Sequence, residues 1–198
     1  MYDYHVVLGI VAVLLAFTGY GLYFRSLFKD GTKPHPFTWF LFAVVDGTVF
    51  IAQVWNGGGP GAWATGAGTL LSSVVFLLAL QRGEKRITRV DWACLVIVLV
   101  GIVGWVATSN ALLAVALASA CDAIAKVPTF RKSYLRPYEE SLSVWSVDLI
   151  RFTLSIAALS SITWTTALFP AEVVLTNGIL VLAVLLRRRQ FAIRAKTG

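Results

Sequence analysis

Residues 5–33 read HVVLGIVAVLLAFTGYGLYFRSLFKDGTK, an apolar run that is followed at once by a short basic segment. A helix of about 20 residues crosses the roughly 30 Å of hydrocarbon in a bilayer. The apolar part, 5–24, is therefore predicted to be a membrane-spanning helix, and the basic part is predicted to be a loop at the membrane surface. Because no basic residue precedes the run and no small-residue cleavage site ends it, we expect the helix to be retained in the protein.

This unit recurs along the chain, and its repetition predicts seven membrane spans. The apolar runs lie at 5–24, 37–54, 61–80, 92–106, 111–125, 142–164 and 171–186. Of the 17 Lys and Arg residues, 16 fall into four clusters: Arg25/Lys29/Lys33, Arg82/Lys85/Arg86/Arg89, Lys126/Arg131/Lys132/Arg136 and Arg187/Arg188/Arg189/Arg194/Lys196. The connections at 56–60, 108–110 and 165–170 contain none. Since short cytoplasmic loops are enriched in Lys and Arg, we expect the clusters and the C-terminus inside and the N-terminus outside.

The composition argues against a separate soluble domain. Hydrophobic residues make up 58% of the chain and charged residues 14%, which leaves little sequence outside the predicted spans. The net charge of +7 is explained by the inner loops and their attraction to anionic lipid headgroups, so no nucleic-acid partner is expected. The sequence thus predicts an all-α, polytopic protein of the lipid bilayer, and its short loops and cysteine usage favour a bacterial inner membrane.

The segments that follow the first and fifth runs resemble each other, which indicates an internal repeat. Residues 24–39 contain FRSLFK, a Lys-Pro pair and a Trp, and residues 128–145 contain PTFRKS, an Arg-Pro pair and a Trp. The basic-Pro pairs are 103 positions apart, and the tryptophans, Trp39 and Trp145, are 106 apart. Chance matches among basic inner loops are the alternative explanation.

Two three-helix units joined directly would point in opposite directions across the membrane. A single linking helix gives both units the same orientation, and such parallel repeats place a solute site near the middle of the bilayer, between the halves. The predicted divisions are a first three-helix bundle at 1–90, a linking helix at 91–108, and a second three-helix bundle with a basic tail at 109–198.

This plan resembles the PQ-loop repeat membrane proteins, which include the SWEET sugar transporters. Pro128-Thr129 lies where that family has Pro-Gln, at the cytoplasmic end of the fifth span, whereas the first copy has Phe24-Arg25 at this place. The resemblance implies that a sugar or a similar small polar molecule is transported by alternating access, with Pro128 as a hinge.

The resemblance also implies a solute contact for Asn177. In SWEET proteins an asparagine in the last helix of each repeat contacts the sugar, and Asn177 lies in the last predicted span. The matching region of the third span, 71–73, contains no asparagine and offers only serine hydroxyls. We therefore expect an asymmetric site.

Asp46 lies near the centre of the second span, with no basic residue within two turns on its own helix. A carboxylate at a helix centre costs about 2.5 to 3.5 kcal/mol on insertion scales, so such residues usually face a cavity or a partner. Trp39, Asp46 and Gln53 recur every seven residues on one face, which suits a solute path and makes Asp46 a candidate for proton coupling. A protonated structural group bonded to a neighbouring helix is the alternative.

Two charged pairs are predicted within single helices. Asp148 and Arg151 are three residues apart in the sixth span and can neutralise each other, so a structural ion pair is the first interpretation and a solute contact for Asp148 the second. Asp122 and Lys126 are four apart at the inner end of the fifth span. They are candidates both for a structural pair and for an inner gate beside Pro128.

Six of the seven tryptophans, Trp39 among them, lie at predicted span ends, where an aromatic belt is expected. Trp145 lies deeper and shares a helix face with Asp148. It is therefore predicted to line the cavity, where its ring can stack on a sugar or another flat ring.

The leading hypothesis is a small-solute transporter or facilitator whose cavity is lined by Asp46, Trp145, Asp148 and Asn177. The alternative is a receptor or assembly factor of the same architecture that binds cargo or lipid without moving it. An enzyme is not expected, because both histidines lie near the membrane surface and no catalytic or metal-binding spacing is present. No cofactor is predicted, and the sequence leaves open the solute, its coupling to protons and whether the chain forms a homodimer.

Overall fold

The computed structural model describes residues 3–29, 34, 36–82, 89–135, 137–139 and 142–197, and all regular structure in these residues is helical. The α-helices are α1 (Tyr4–Lys29), α2 (Pro36–Trp55), α3 (Trp63–Arg82), α4 (Arg89–Thr108), α5 (Ala111–Leu135), α6 (Leu142–Ala157) and α7 (Trp164–Thr197). Two short 3₁₀ helices, η1 (Gly59–Ala62) and η2 (Pro137–Glu139), lie in the connections. The predicted all-α class is confirmed for the described part of the chain.

Among the described residues, four helical segments are long and apolar enough to cross a membrane: Tyr4–Lys29, Pro36–Trp55, Gly59–Gln81 and Trp164–Ile193. The apolar part of α4, Trp92–Thr108, is shorter. Large aliphatic side chains point outward on several helices, including Leu70, Val103 and Leu175, each about two-thirds exposed. An outer surface this apolar is typical of a protein that contacts lipid.

For description, the helices are grouped as two sets of three, α1 to α3 and α5 to α7, with α4 beside α5 and α2. In the first set α3 packs against both α1 and α2, and in the second set α7 packs against both α5 and α6. The sets meet through contacts of α1 with α6 and of α2 with α5, while α4 packs on α5 and α2. A buried core that includes Val45, Val98, Val115, Phe152 and Phe169 joins α2, α4, α5, α6 and α7.

The last helix begins earlier than the sequence suggests. The prediction placed a connection at 165–170, but α7 starts at Trp164, and Pro170 lies inside it. Thr163 and Thr166 form a reciprocal cap: the Thr166 amide donates to Thr163 Oγ1 at 3.2 Å, and the Thr163 amide donates to Thr166 Oγ1 at 2.9 Å. Such a pair satisfies free amides at a helix start, so the prediction of a loop here was wrong.

Pro170 interrupts the hydrogen bonding of α7, and a side chain from α2 repairs the gap. A proline inside a helix has no amide hydrogen for the carbonyl four residues earlier, here that of Thr166. The side-chain amide of Gln53, which is fully buried, donates to that carbonyl at 2.7 Å. Gln53 therefore has a structural partner in α7, although its position on the stripe with Asp46 indicated a solute path.

Close backbone contacts join the two sets of helices at the end where η1 lies. Ser155 Oγ donates to the Gly61 carbonyl at 2.6 Å, and the Ser160 amide donates to the Gly58 carbonyl at 3.1 Å. A β-carbon on Gly61 would lie 2.7 Å from the Ser155 carbonyl oxygen, which only glycine avoids. This end of the helix bundle is closed.

Candidate functional site

A cavity of about 210 Å³ lies between the two sets of helices. Its walls come from residues 19–23 of α1, 39–46 of α2, 122–129 of α5 and 144–152 of α6, and from Phe169 and Val173 of α7. The lining combines aromatic rings with five charged side chains: Asp46, Asp122, Lys126, Asp148 and Arg151. The cavity therefore extends from the starts of α2 and α6, at the end opposite η1, to beyond the midpoint of both helices.

Asp46 lies in the cavity wall, where its carboxyl group has room because α3 carries a glycine beside it. A β-carbon on Gly68 would lie 2.8 Å from Asp46 Oδ2 and 3.7 Å from Arg151 Nη1. In the described part of the chain, Asp46 makes no hydrogen bond and no ion pair within 4.0 Å. The carboxyl group therefore remains available to a bound solute.

Asp148 and Arg151 of α6 lie together in the cavity wall, as their spacing predicts. Arg151 Nη2 is 3.2 Å from Asp148 Oδ1, and the guanidinium also lies 4.3 Å from the ring centre of Phe152. Arg151 is buried, and its Nε and Nη1 atoms have no hydrogen-bond partner among the described residues. Part of this guanidinium is thus unused within the protein.

Lys126 of α5 contacts two carboxyl groups from different helices. It forms an ion pair with Asp122 on its own helix, and its Nζ lies 3.5 Å from Glu172 Oε1 of α7. Thr176 Oγ1 accepts a third contact at 3.0 Å. Glu172 was not among the predicted site residues, although its acidic side chain inside an apolar run was a signal that could have identified it.

An aromatic cluster from α1 and α2 forms the opposite wall. Trp39 lies 5.9 Å from the ring of Tyr20, 4.7 Å from that of Tyr23 and 5.6 Å from that of Phe42. The Tyr20 hydroxyl and Ser72 Oγ are hydrogen-bonded at 2.6 Å, which fixes that ring against α3. Trp39 lines the cavity, as its stripe with Asp46 indicated, and its place in an aromatic belt at the inner end of α2 stays a prediction.

The lining of the two halves follows a constant spacing. Each cavity-lining residue of the first half has a counterpart 106 positions later that also lines the cavity. The pairs are Gly19 with Ala125, Tyr20 with Lys126, Tyr23 with Thr129, Trp39 with Trp145, Phe42 with Asp148 and Asp46 with Phe152. The positions repeat, but the charged residues do not. Lys126, Asp148 and Asp46 each correspond to an uncharged residue in the other half.

Two residues taken from the family resemblance are not brought into the cavity lining. Asn177 is fully buried in α7, outside the lining, and neither atom of its amide group has a hydrogen-bond partner among the described residues. Pro128 falls within α5, next to the lining residue Thr129, and its side chain lies outside the described part of the structure. The predicted residues Asp46, Trp145 and Asp148 do share the one cavity.

No group of three or more His, Cys, Asp and Glu side chains suited to a metal ion occurs in the part of the chain that the structure describes. Comparison of the chain with protein-family models, with curated proteins and with solved structures finds no match in any of the three. The geometry of this cavity is therefore the main indication of function.

Proposed function

We propose that this protein is a small-solute carrier of the membrane, built from seven spans as two parallel three-helix repeats with α4 as the linking helix. The observation that carries the proposal is the charged and aromatic cavity between the two sets of helices. Solute sites of parallel-repeat transporters lie at such a boundary, near the middle of the bilayer. This arrangement of spans is also the one that the resemblance to PQ-loop repeat proteins implies.

Two independent features support the repeat. First, the packing order is the same in both sets, since the third helix of each lies between the other two. The contact of α1 with α6 also matches the contact of α5 with α2, because α1 corresponds to α5 and α6 corresponds to α2. Second, the spacing of 106 residues between the two tryptophans also relates five further pairs of cavity-lining residues. A chance match of basic loops would produce neither feature.

The orientation that we propose follows from the basic clusters. The cavity begins near the ends of α2 and α6 that adjoin the Lys- and Arg-rich connections and extends to the middle of the bundle. With those connections in the cytoplasm, the cavity lies toward the cytoplasmic side and the closed end at η1 faces outward. The N-terminus is then outside and the C-terminus inside, in a bacterial inner membrane.

Alternating access then requires the closed end to open. Three hydrogen bonds cross between the repeats there: Gln53 to the Thr166 carbonyl, Ser155 to the Gly61 carbonyl and Ser160 to the Gly58 carbonyl. Each contributes about 0.5 to 1.5 kcal/mol net. Their loss is small enough to be offset by new contacts at the cytoplasmic end, so the two repeats can rock about the contacts of α1 with α6 and of α2 with α5.

Uptake by proteoliposomes tests the carrier function. Purified protein is reconstituted and offered labelled sugars, amino acids and organic amines, with and without a pH gradient, beside protein-free liposomes. We expect at least one solute to enter faster with the protein present. If none of them moves although the reconstituted protein is folded by circular dichroism, the receptor alternative replaces the carrier.

A further inference from the structure

Acidic side chains outnumber basic ones in and beside the cavity. Arg151 is paired with Asp148 and lies close to the Asp46 carboxyl group, with both Arg151 and Asp46 adjoining Gly68. The carboxyl groups of Asp148 and Asp46 therefore both lie beside the single guanidinium of Arg151.

The second cluster has the same imbalance. Lys126 contacts both Asp122 and Glu172, so two carboxyl groups again surround one cation. Among the described residues of the two clusters, four carboxyl groups thus face two cationic groups. A carboxyl group without a cationic partner is costly to ionise inside a membrane protein, and a positive charge in the cavity would stabilise its ionised form.

The carboxyl group best placed to meet such a charge is that of Asp46. Asp148 and Asp122 are already engaged by basic side chains, whereas Asp46 lines the cavity without a hydrogen bond or ion pair to a described residue. Rings of Trp39, Tyr20 and other aromatic residues line the same space. Aromatic faces attract ammonium groups and also pack against their carbon substituents.

We propose that the solute is an organic cation, an amine or quaternary ammonium compound, whose charge lies against Asp46 and whose carbon groups pack between the aromatic residues of the two repeats. This inference rests on the proposed carrier function and names its substrate class. A neutral sugar would supply no charge to the unpaired Asp46 carboxyl group, and an anion would be repelled by the ionised form of that group.

Two pairs of probes, each a cation and a neutral molecule of similar shape, test whether the charge of the solute decides binding. Choline and its neutral isostere 3,3-dimethyl-1-butanol form one pair, and benzylamine and benzyl alcohol form the other. Binding to the full-length protein in lipid nanodiscs is followed by tryptophan fluorescence and by thermal stabilisation. We expect the cation of at least one pair to bind about tenfold more tightly than its neutral partner, because only the cation gains from the carboxylate and the rings.

Variants identify the group responsible. Asp46→Asn should bring the two affinities of that pair within about twofold, and Asp46→Glu, which keeps the charge, should retain most of the preference. Asp3→Asn removes an exposed carboxyl group far from the cavity and should change nothing.

Equal affinity within both pairs, no binding of either cation, or a preference that survives in Asp46→Asn would overturn the inference. If cations fail to bind but a neutral solute enters proteoliposomes, the substrate class is wrong and the carrier function stands. If no solute of any charge binds or moves, the carrier function itself fails.

Discussion

Replacement of Lys126 by methionine is expected to lower the free energy of unfolding by about 3 to 5 kcal/mol, the cost of removing one partner from a buried ion pair. The ammonium group is buried between Asp122 and Glu172, and Thr176 also contacts it. Methionine keeps the length and apolar stem of lysine but leaves both carboxyl groups uncompensated. The measurement is reversible unfolding of the purified protein in mixed micelles by increasing SDS.

Two controls make this result specific. Lys29→Met removes an exposed lysine at the end of α1 and should change stability by no more than about 0.5 kcal/mol. Adding Asp122→Asn and Glu172→Gln to Lys126→Met removes the uncompensated charges and should recover most of the lost stability. A loss of less than about 1 kcal/mol in Lys126→Met alone would mean that the cluster is solvated rather than buried.

Substitution of Asp46 by asparagine is expected to reduce solute uptake by about 10- to 100-fold, because a contact to a charged group contributes about 1.5 to 3 kcal/mol. Asparagine fits the space beside Gly68 that the carboxyl group occupies, so the fold should persist. The measurement is the initial rate of uptake into proteoliposomes, normalised to the amount of folded protein.

Asp3→Asn is the matched control, since it neutralises an exposed acid at the start of the chain and should leave uptake unchanged. Asp46→Glu should retain part of the activity. Wild-type uptake in Asp46→Asn would show that the carboxyl group is structural, which is the alternative that the sequence left open.

Much of the site could be predicted from polar residues at unusual places in apolar runs. Asp46 and Asp148 stand out because a charge inside a span is costly, and both line the cavity. Trp145 stands out in the sequence because the sixth apolar run places it deeper than the other tryptophans, although in the structure it lies three residues from the start of α6, as Trp39 does in α2. Each of these predictions needed only the type of one residue and its depth in the predicted span, which a hydropathy pattern provides.

Contacts between distant helices could not be predicted in this way. Gln53 shares a helix face with Asp46, yet its partner is set by Pro170, more than a hundred residues later, which frees the Thr166 carbonyl. Glu172 joins the site because α7 starts at Trp164 and packs along α5. A single sequence gives no information about which face of one helix meets which face of another.

Asn177 shows the limit of transferring a residue by family resemblance. The prediction followed its position in the last span, whereas the structure has it fully buried outside the cavity lining. On α7 the lining residues are Phe169 and Val173, and Asn177 lies one helical turn beyond them.

Cysteine accessibility tests most directly whether the cavity between the repeats opens to water on the cytoplasmic side. In a background with Cys94 and Cys121 replaced by alanine, single cysteines are placed at Ala125, which lines the cavity, and at Ile124, its outward-facing neighbour on α5. Inside-out and right-side-out membrane vesicles are then treated with a charged, membrane-impermeant methanethiosulfonate. The account predicts rapid labelling of the cysteine at 125 from the cytoplasmic side and negligible labelling at 124. Equal labelling at the two positions, or labelling at 125 from the outer side alone, would contradict it.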